Sequence, residues 1–186
     1  MGFKDANIPT TNSLQACLNL INPYNVHLRN DEQTIYLSKK GVEINLGGNV
    51  LNIGCSPIHD KGYWSVGIQN PSKTRGNIIS VLMVKNVSVV TSGIYERCFK
   101  VDNKIFHHLF DTNTGMLINT NIASVTIIAN KSIDAEVWST AGFQSSVEKA
   151  IDYLSKQKNI EFVVIDNCGK HYYSKGLIKK INIFIF

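Results

Sequence analysis

Apolar residues along this chain recur mostly at every second position, in many short runs. This alternation is typical of β-strands with one buried face. The runs are rich in β-branched and aromatic residues, which favour strands. The runs 78–84 and 87–90 are expected to form a hairpin that turns near Lys85 and Asn86. Strands are predicted at 26–28, 34–37, 64–68, 78–84, 87–90, 95–101, 105–109, 124–129, 161–165 and 171–173.

Three segments show the 3.6-residue spacing of helices instead. The first ends at Asn22-Pro23, because the residue before a proline disfavours the helical conformation. The second is a short helix over 135–143, and the third starts at a capping pattern, Ser145-Ser146 with Glu148. The apolar face of the first helix consists of Leu14, Cys17, Leu18 and Ile21.

The order of these elements predicts an α+β fold, since many strands are followed by a few helices grouped late in the chain. The 186 residues suffice for a single domain, 1–186, with a sizeable core. The tail, 181–186, is strongly β-prone and must be paired or covered to avoid association. We therefore expect self-association as a homo-oligomer, with this tail exchanged or paired between chains.

Composition narrows the function classes only a little. The net charge of +5 favours anionic partners such as a dinucleotide, although a solvated surface that carries scattered lysines is the simpler explanation. No arginine-rich arm or nucleic-acid motif is present, so no nucleic-acid partner is expected. No apolar run approaches the roughly 20 residues that span a bilayer, and residues 1–9 lack the apolar core of a signal peptide.

The four cysteines lie far apart and form no CxxC pair, so neither a zinc site nor a disulfide framework is expected. Buried or chemically idle thiols are the simplest interpretation, and they lean weakly toward a reducing compartment. These residues are Cys17, Cys55, Cys98 and Cys168.

Four segments carry candidate chemistry, and each also has a purely structural explanation. In 91–97, Ser92 and Gly93 suit a phosphate or carbonyl, and Tyr95 suits a planar ring. In 106–115, only one of two adjacent histidines on a strand can face a given site, where it would serve as a general base. A surface or structural role is the alternative for both segments.

On the second predicted helix, Glu136 and Thr140 are four residues apart and share a face, which gives hard oxygen ligands suited to Mg²⁺. Asp134 and Glu136 would alternatively only favour the helix dipole. The stretch Gly47-Gly48-Asn49 allows a close approach to a ligand, or simply forms a tight turn or bulge.

The order of these segments is more specific than any one of them. NLGGNV, WSVGI followed by NP, TSGIYER, HHLFDTNTG, SVT, AEVWSTA and SSVEKAIDYL follow one another between about 41 and 173. This series resembles the conserved run of the ApbE family of FAD:protein FMN transferases. The resemblance implies an ApbE-like α+β fold of mostly antiparallel or mixed sheet with a few packed helices.

The resemblance also implies site roles. Family members bind FAD with Mg²⁺ at its diphosphate and transfer FMN to a Ser or Thr hydroxyl of a target flavoprotein, releasing AMP. His108 matches the family's base, and Glu136 and Thr140 match a metal motif that usually begins with Asp; Asp134 is the substitute if the register differs. The flavin-binding segments match Gly47, Gly48, Asn49, Ser92, Gly93 and Tyr95, together with His108.

The chain departs from the family pattern in two places. The family's long N-terminal region has no counterpart here, and GVEI runs directly into NLGGNV where members carry a DLGG-x-AKGYA segment and a helix. These differences imply a shortened domain with an internal deletion. A non-catalytic flavin-binding or interaction relative and a Mg-dependent FAD diphosphatase are the alternatives to the transferase. Family members typically act outside the cytoplasm, and the compartment of this chain stays open.

Overall fold

The computed structural model describes residues 26–30, 33–95, 98–101, 104–111, 114–180 and 182–185. Within them lie three helices, α1 (Ser132–Ala141), α2 (Val147–Ser155) and α3 (Lys175–Lys180). The predicted N-terminal helix falls on residues outside the described part. The strands are β1 (Val26–Asn30), β2 (Gln33–Leu37), β3 (Gly41–Leu46), β4 (Asn49–Gly54), β5 (Trp64–Gln69), β6 (Ile78–Val84), β7 (Ser88–Gly93), β8 (Cys98–Val101), β9 (Lys104–His107), β10 (Ile122–Ala129), β11 (Ile160–Asp166), β12 (His171–Tyr173) and β13 (Asn182–Ile185).

The strands form three antiparallel sheets. The largest has eight strands in the order β1-β2-β3-β4-β7-β10-β11-β12, the second is β13-β6-β5, and the third is the hairpin β8-β9. Antiparallel sheets with a few helices confirm the predicted α+β class.

The two faces of the eight-stranded sheet support two separate cores, because successive side chains of a strand point to opposite faces. On one face, Val90, Val125 and Val164 pack beneath α1 and α2. We call this the helix face. On the other face, which we call the β face, Val89 and Val163 pack against residues of the three-stranded sheet such as Leu82. The molecule therefore has a helix layer, a central sheet and a second sheet.

The predicted pairing of 78–84 with 87–90 is wrong. β6 pairs with β5 and β13, whereas β7 pairs with β4 and β10. The turn at Lys85 and Asn86, where Asn86 has φ 54°, carries the chain from one sheet to the other. Both runs bury an apolar face, so the chain gains more by placing them in facing sheets than by pairing them side by side.

Other predicted helices and strands are present, but they begin and end at somewhat different residues. Ser146 caps α2, its side chain accepting a hydrogen bond from the Lys149 N–H at 3.4 Å, as the capping pattern indicates. The β-prone tail becomes β13 and pairs with β6 of the same chain, preceded by a helix, α3, that the pattern did not indicate. Cys55 is partly buried, but Cys98 and Cys168 are exposed rather than buried; none of these three cysteines is in a disulfide bond.

Candidate functional site

The glycine stretch forms the tight turn between β3 and β4. Gly47 and Gly48 have φ of 68° and 101°, values that L side chains rarely adopt, and a two-residue hairpin with both central φ positive favours glycine. The Gly48 N–H donates to Asn45 Oδ1 at 3.2 Å, and Gly48 O accepts from the Thr91 N–H at 3.0 Å. The turn is thereby held against β7 and fixes where Asn49 begins β4.

Asn49 links this turn to α1. Its side-chain Nδ2 donates to Glu136 Oε2 at 2.9 Å, and its Oδ1 accepts from Ser132 Oγ at 2.8 Å. Ser132 and Glu136 are four residues apart and lie on the same face of α1. An asparagine amide thus orients the exposed carboxylate of Glu136 from outside the helix.

One helical turn further along, Ser92 of β7 meets the end of α1. Its Oγ lies 2.9 Å from Ser139 Oγ and 3.3 Å from Thr140 Oγ1, both hydrogen-bonding distances. The Ser139 hydroxyl also donates to the backbone oxygen of Glu136 at 3.0 Å. Ser139 is wholly buried, whereas Thr140 is exposed, so the second hydroxyl is the one open to a ligand.

Gly93 and Tyr95 lie just beyond Ser92. A Cβ added to Gly93 would lie 2.7 Å from Tyr95 Cε1, so glycine is required for the tyrosine ring to lie over this strand end. Tyr95 lines two adjoining cavities of about 250 and about 150 Å³ together with Gln69 and Arg75. Gly48 also lines the smaller one, which brings the glycine turn and the tyrosine together.

His107 and His108 differ in exposure, as expected for adjacent residues whose side chains point to opposite sides of the chain. His107 ends β9, is half-buried, and its Nδ1 accepts a hydrogen bond from the Leu109 N–H at 3.3 Å. Burial lowers the pKa of His107, and repulsion from the neighbouring His108 lowers it further. His108 is exposed and lines a groove of about 860 Å³. His107 is therefore a structural group, and His108 is the accessible one.

The groove of about 860 Å³ brings two predicted site residues together. His108 lines it from the turn after β9, and Thr140 and Gln144 line it from the end of α1 and the loop after it. Glu136 is one turn back along α1 from Thr140. Gly48 and Tyr95 instead line the smaller cavities, so the candidate residues cluster at one end of the sheet but not in a single pocket.

The side-chain oxygens at this end of α1 are of the type that a hard cation binds. Mg²⁺ is bound through one or two carboxylates with waters and substrate phosphates rather than by an all-protein cage. The carboxylate of Glu136 and the hydroxyl of Thr140 are such donors, and both side chains are exposed. Among the described residues there is no cluster of three or more His, Cys, Asp or Glu side chains, so the metal would need ligands from its substrate.

Sequence reasoning missed two residues of this site, Ser139 and Ser132. Their spacing gave a signal, because 132, 136, 139 and 140 fall on one face of a helix. The link to Asn49 and Ser92 depends on strand order, which the pattern of the sequence does not contain. Asp134 is exposed on α1. Asn49 and Ser92, the two side chains that approach this helix from the sheet, form their hydrogen bonds with Glu136, Ser132, Ser139 and Thr140 instead.

The fold and the order of the site segments define an α+β protein with an open groove at one end of an antiparallel sheet. The model of the ApbE family matches residues 36–164, which is more than half of the sequence. The chain belongs to the ApbE family.

Relatives with assigned names agree with this membership. The chain is 28% identical to the FAD:protein FMN transferase of Klebsiella pneumoniae (strain 342), over 89% of this chain and 58% of that protein. It is 27% identical to the FAD:protein FMN transferase of Treponema pallidum (strain Nichols), over 98% of this chain and 61% of that protein. The chain thus spans about three-fifths of the length of these relatives.

Solved structures show the same fold. The ApbE protein of Thermotoga maritima superposes with a TM-score of 0.63 at 29% identity, over 80% of this chain and 45% of that one. The flavin transferase ApbE of Vibrio cholerae gives a TM-score of 0.57 at 17% identity, over 95% of this chain and 64% of that one. In the part of the chain that the structure describes, no helix is long and apolar enough to cross a membrane.

Proposed function

We propose that this chain supplies the catalytic site of an FAD:protein FMN transferase, which moves FMN from FAD to a Ser or Thr hydroxyl of a target flavoprotein and releases AMP. The observation that supports it most directly is the groove of about 860 Å³ that His108 and Thr140 both line. A base and an exposed hydroxyl lining the same groove suit phosphoryl transfer to an alcohol. The names of the related proteins agree with this activity.

In the proposed reaction, the acceptor oxygen attacks the phosphorus of the FMN half, and the bond from that phosphorus to the bridging oxygen of AMP breaks. A ring nitrogen of His108 takes the proton of the acceptor hydroxyl, which makes the oxygen a better nucleophile. The proton then passes to solvent or to the departing phosphate. The exposed position of His108 leaves room for an acceptor segment of another protein.

Glu136 and Thr140 are the residues that would hold Mg²⁺, with the carboxylate of Glu136 oriented by Asn49. When bound, Mg²⁺ neutralises phosphate charge and stabilises the leaving group. The side chains of Ser92 and Ser139 hold the end of α1 against the sheet, which keeps Thr140 at the groove. Tyr95, Gly48 and Arg75 line the adjoining cavities and would bind the rest of the dinucleotide.

The target protein would approach from the open side of the groove. Phe110 also lines the groove, and 57% of its surface is exposed. An exposed aromatic residue beside a catalytic groove is a common anchor for a protein partner. The acceptor flavoprotein would therefore contact Phe110 while presenting its hydroxyl to His108.

The test is a transfer assay with the purified chain, FAD, Mg²⁺ and a flavin-acceptor domain. Covalent flavin is followed by fluorescence of the denatured acceptor, and AMP by chromatography. Both products in equal amounts support the transferase. AMP and FMN without labelled acceptor would instead assign the FAD diphosphatase reaction, in which water replaces the hydroxyl. No FAD binding by isothermal titration, with or without Mg²⁺, would reject both activities and leave an interaction module.

A further inference from the structure

A cluster of polar side chains surrounds a cavity beside the loop that joins β5 to β6, residues 70–77. The cavity has a volume of about 250 Å³. The described residues that line it all carry a polar group, and two of them are cationic whereas none is acidic: Gln69, Lys73, Thr74, Arg75 and Tyr95. A small cavity lined by cations, a hydroxyl and an amide suits an anion.

The sequence around the loop has a positive charge of its own. Residues 61–95 contain four Lys or Arg and no Asp or Glu. Lys73 and Arg75 are both exposed on the loop. Because exposed charges act over a distance of about 8 Å at physiological ionic strength, an acid of the same segment would weaken their attraction for an anion, and this segment has none.

The side chain of Gln69 holds the loop together. The pairing of β5 with β6 is irregular between Ile68 and Gln69, and such a bulge re-aims a side chain. Gln69 Nε2 donates to the backbone oxygens of Asn70 and Thr74, each at 3.1 Å, and its Oε1 accepts from the Gly76 N–H at 2.9 Å. One amide therefore fixes the backbone at the start, the middle and the end of the loop.

Asn77 fixes the hydroxyl of Thr74. Its Nδ2 donates to Thr74 Oγ1 at 3.0 Å and to Thr74 O at 2.8 Å, and the Asn70 N–H donates to Asn77 O at 2.7 Å. Thr74 Oγ1 accepts this bond, so the hydroxyl remains able to donate to a ligand. Since the loop is already ordered, binding an anion would cost little conformational entropy.

An adjoining cavity of about 150 Å³ has a different character. It shares Gln69, Arg75 and Tyr95 with the first cavity. Its other lining residues include three valines that belong to the core on the β face: Val50, Val66 and Val89. The ring of Tyr95 borders both cavities, and aromatic side chains pack well against planar rings. The two cavities together suit a ligand that has an anionic group at one end and a flat ring at the other.

We propose that the loop 70–77 and these two cavities bind a mononucleotide. Its phosphate lies against Lys73, Thr74 and Arg75, and its ring lies along Tyr95 at the smaller cavity. Gln69 is a positioning residue, because it acts through the backbone of the loop. The site requires neither a metal ion nor flavin transfer. Only the expectation that the mononucleotide is AMP or FMN, the two halves of FAD, rests on the proposed function.

The first test is isothermal titration of the unaltered chain with AMP and with FMN, in the absence of Mg²⁺ and FAD. One of them should bind at least about tenfold more tightly than its nucleoside, adenosine or riboflavin, because the nucleoside lacks the charge-assisted hydrogen bonds of the phosphate. Inorganic phosphate should bind more weakly than that nucleotide, because it has no ring. Absence of nucleotide binding, equal binding of nucleotide and nucleoside, or equal binding of phosphate and nucleotide would each overturn the proposal.

Paired charge substitutions locate the site. Lys73→Gln combined with Arg75→Gln should weaken nucleotide binding at least about tenfold. The matched control combines Lys61→Gln with Lys85→Gln, which removes the same charge from the same segment. Neither of these lysines is among the described residues that line the two cavities, so the control should retain the affinity of the unaltered chain. An equal loss in both double variants would show attraction by net charge alone and would contradict the proposal.

A third variant tests the positioning role of Gln69. Gln69→Met keeps the length of the side chain but removes its three hydrogen bonds to the loop. Nucleotide affinity should fall at least about threefold because the loop is no longer ordered before binding, and hydrogen exchange should speed up in the 70–77 peptide and not elsewhere. Unchanged affinity would contradict this role.

The outcome for this site can be told apart from the outcome for the transferase. Nucleotide binding at the loop without any flavin transfer would reject the proposed function alone. Flavin transfer by a chain that binds neither AMP nor FMN at the loop would reject the mononucleotide site alone. His108→Asn, in the separate groove, should leave nucleotide affinity unchanged. A tenfold loss in that variant would place the nucleotide in the groove and overturn the proposal.

Discussion

Strand β4 carries two asparagines on opposite faces of the sheet, and each lies beside a glutamate. On the helix face, Asn49 donates to the exposed carboxylate of Glu136 at 2.9 Å. On the β face, Asn52 is wholly buried and lies directly across from Glu43 of β3. Burial raises the pKa of Glu43 to about 7, well above its ordinary value of 4.5.

The difference between the two pairs shows how environment assigns roles to the same residue types. Glu136 keeps contact with water and is oriented by a neutral donor, so its charge is available to a cation. Burial removes hydration from the carboxylate of Glu43, and with a pKa of about 7 this group is about half protonated near pH 7. Asn52 Oδ1 accepts no hydrogen bond within the described residues, and a protonated carboxyl across the strand is a suitable donor.

The largest expected effect is on the rate of flavin transfer, and it concerns His108 in the groove near the exposed pair of Asn49 and Glu136. His108→Asn removes the proposed base while keeping a polar side chain of similar size. We expect the rate of flavin transfer to fall at least a hundredfold, because general-base catalysis contributes about 10²–10⁴ in rate. FAD affinity by titration should change less than threefold. His107→Asn is the neighbouring control, since His107 does not line the groove, and an equal loss in both variants would contradict the assignment.

For the buried pair of Asn52 and Glu43, we expect the free energy of unfolding to depend on pH. Because the folded-state pKa of Glu43 is raised, its favourable contribution is complete below about pH 4.5 and is lost as the pH rises through about 7. The loss is on the order of 2 kcal/mol after allowance for partial exposure. Urea unfolding between pH 5 and 8 should show this slope in the unaltered chain and not in Glu43→Gln. Parallel curves for the two proteins would mean that Glu43 is ionised without cost.

The sequence predicts where strands and helices lie along the chain better than it predicts which strands pair with one another. Alternation located most strands, and the capping pattern located the start of α2 at Ser146. The hairpin expected at Lys85 and Asn86 failed, since the pattern of 78–90 suits both a pair in one sheet and two strands in facing sheets. Pairing is decided by which apolar faces meet, and that depends on residues far away in the chain.

The same limit applies to the candidate site. The spacing of Glu136 and Thr140 identified one helix face, which the structure bears out as part of α1. Ser92 was singled out for a phosphate, but its hydroxyl also anchors α1 through Ser139. Nothing in local spacing distinguishes Glu43 from Glu136, because the pKa of Glu43 is set by desolvation in the assembled sheets.

A smaller effect tests which acid on α1 serves the metal. Glu136→Gln keeps an oxygen that accepts from Asn49 but removes the charge. If Glu136 is the proposed carboxylate ligand, its loss should weaken Mg-dependent FAD binding about tenfold, which is about 1.4 kcal/mol. Asp134→Asn is the matched change on the same helix and should have little effect. If isothermal titration gives the reverse result, the metal belongs to Asp134 and the exposed pair is only structural.

The smallest expected effect is the coupling within each asparagine–glutamate pair. Asn49→Ala removes two side-chain hydrogen bonds, to Glu136 and from Ser132, and should cost about 1 kcal/mol of stability. A double-mutant cycle of Asn49→Ala with Glu136→Ala should give a coupling of a few tenths of a kcal/mol up to about 1 at both pH 5 and pH 8, because Asn49 is the donor and the contact needs no proton on the carboxylate. The cycle of Asn52→Ala with Glu43→Ala should give a coupling that falls as the pH rises through about 7, because the protonated carboxyl of Glu43 can donate to Asn52 and the ionised one cannot. Chemical unfolding at pH 5 and pH 8 measures all four values. A coupling between Asn52 and Glu43 that does not change with pH would show that the two side chains do not share a proton-dependent contact, and the contrast between the two faces of β4 would then rest on solvent exposure alone.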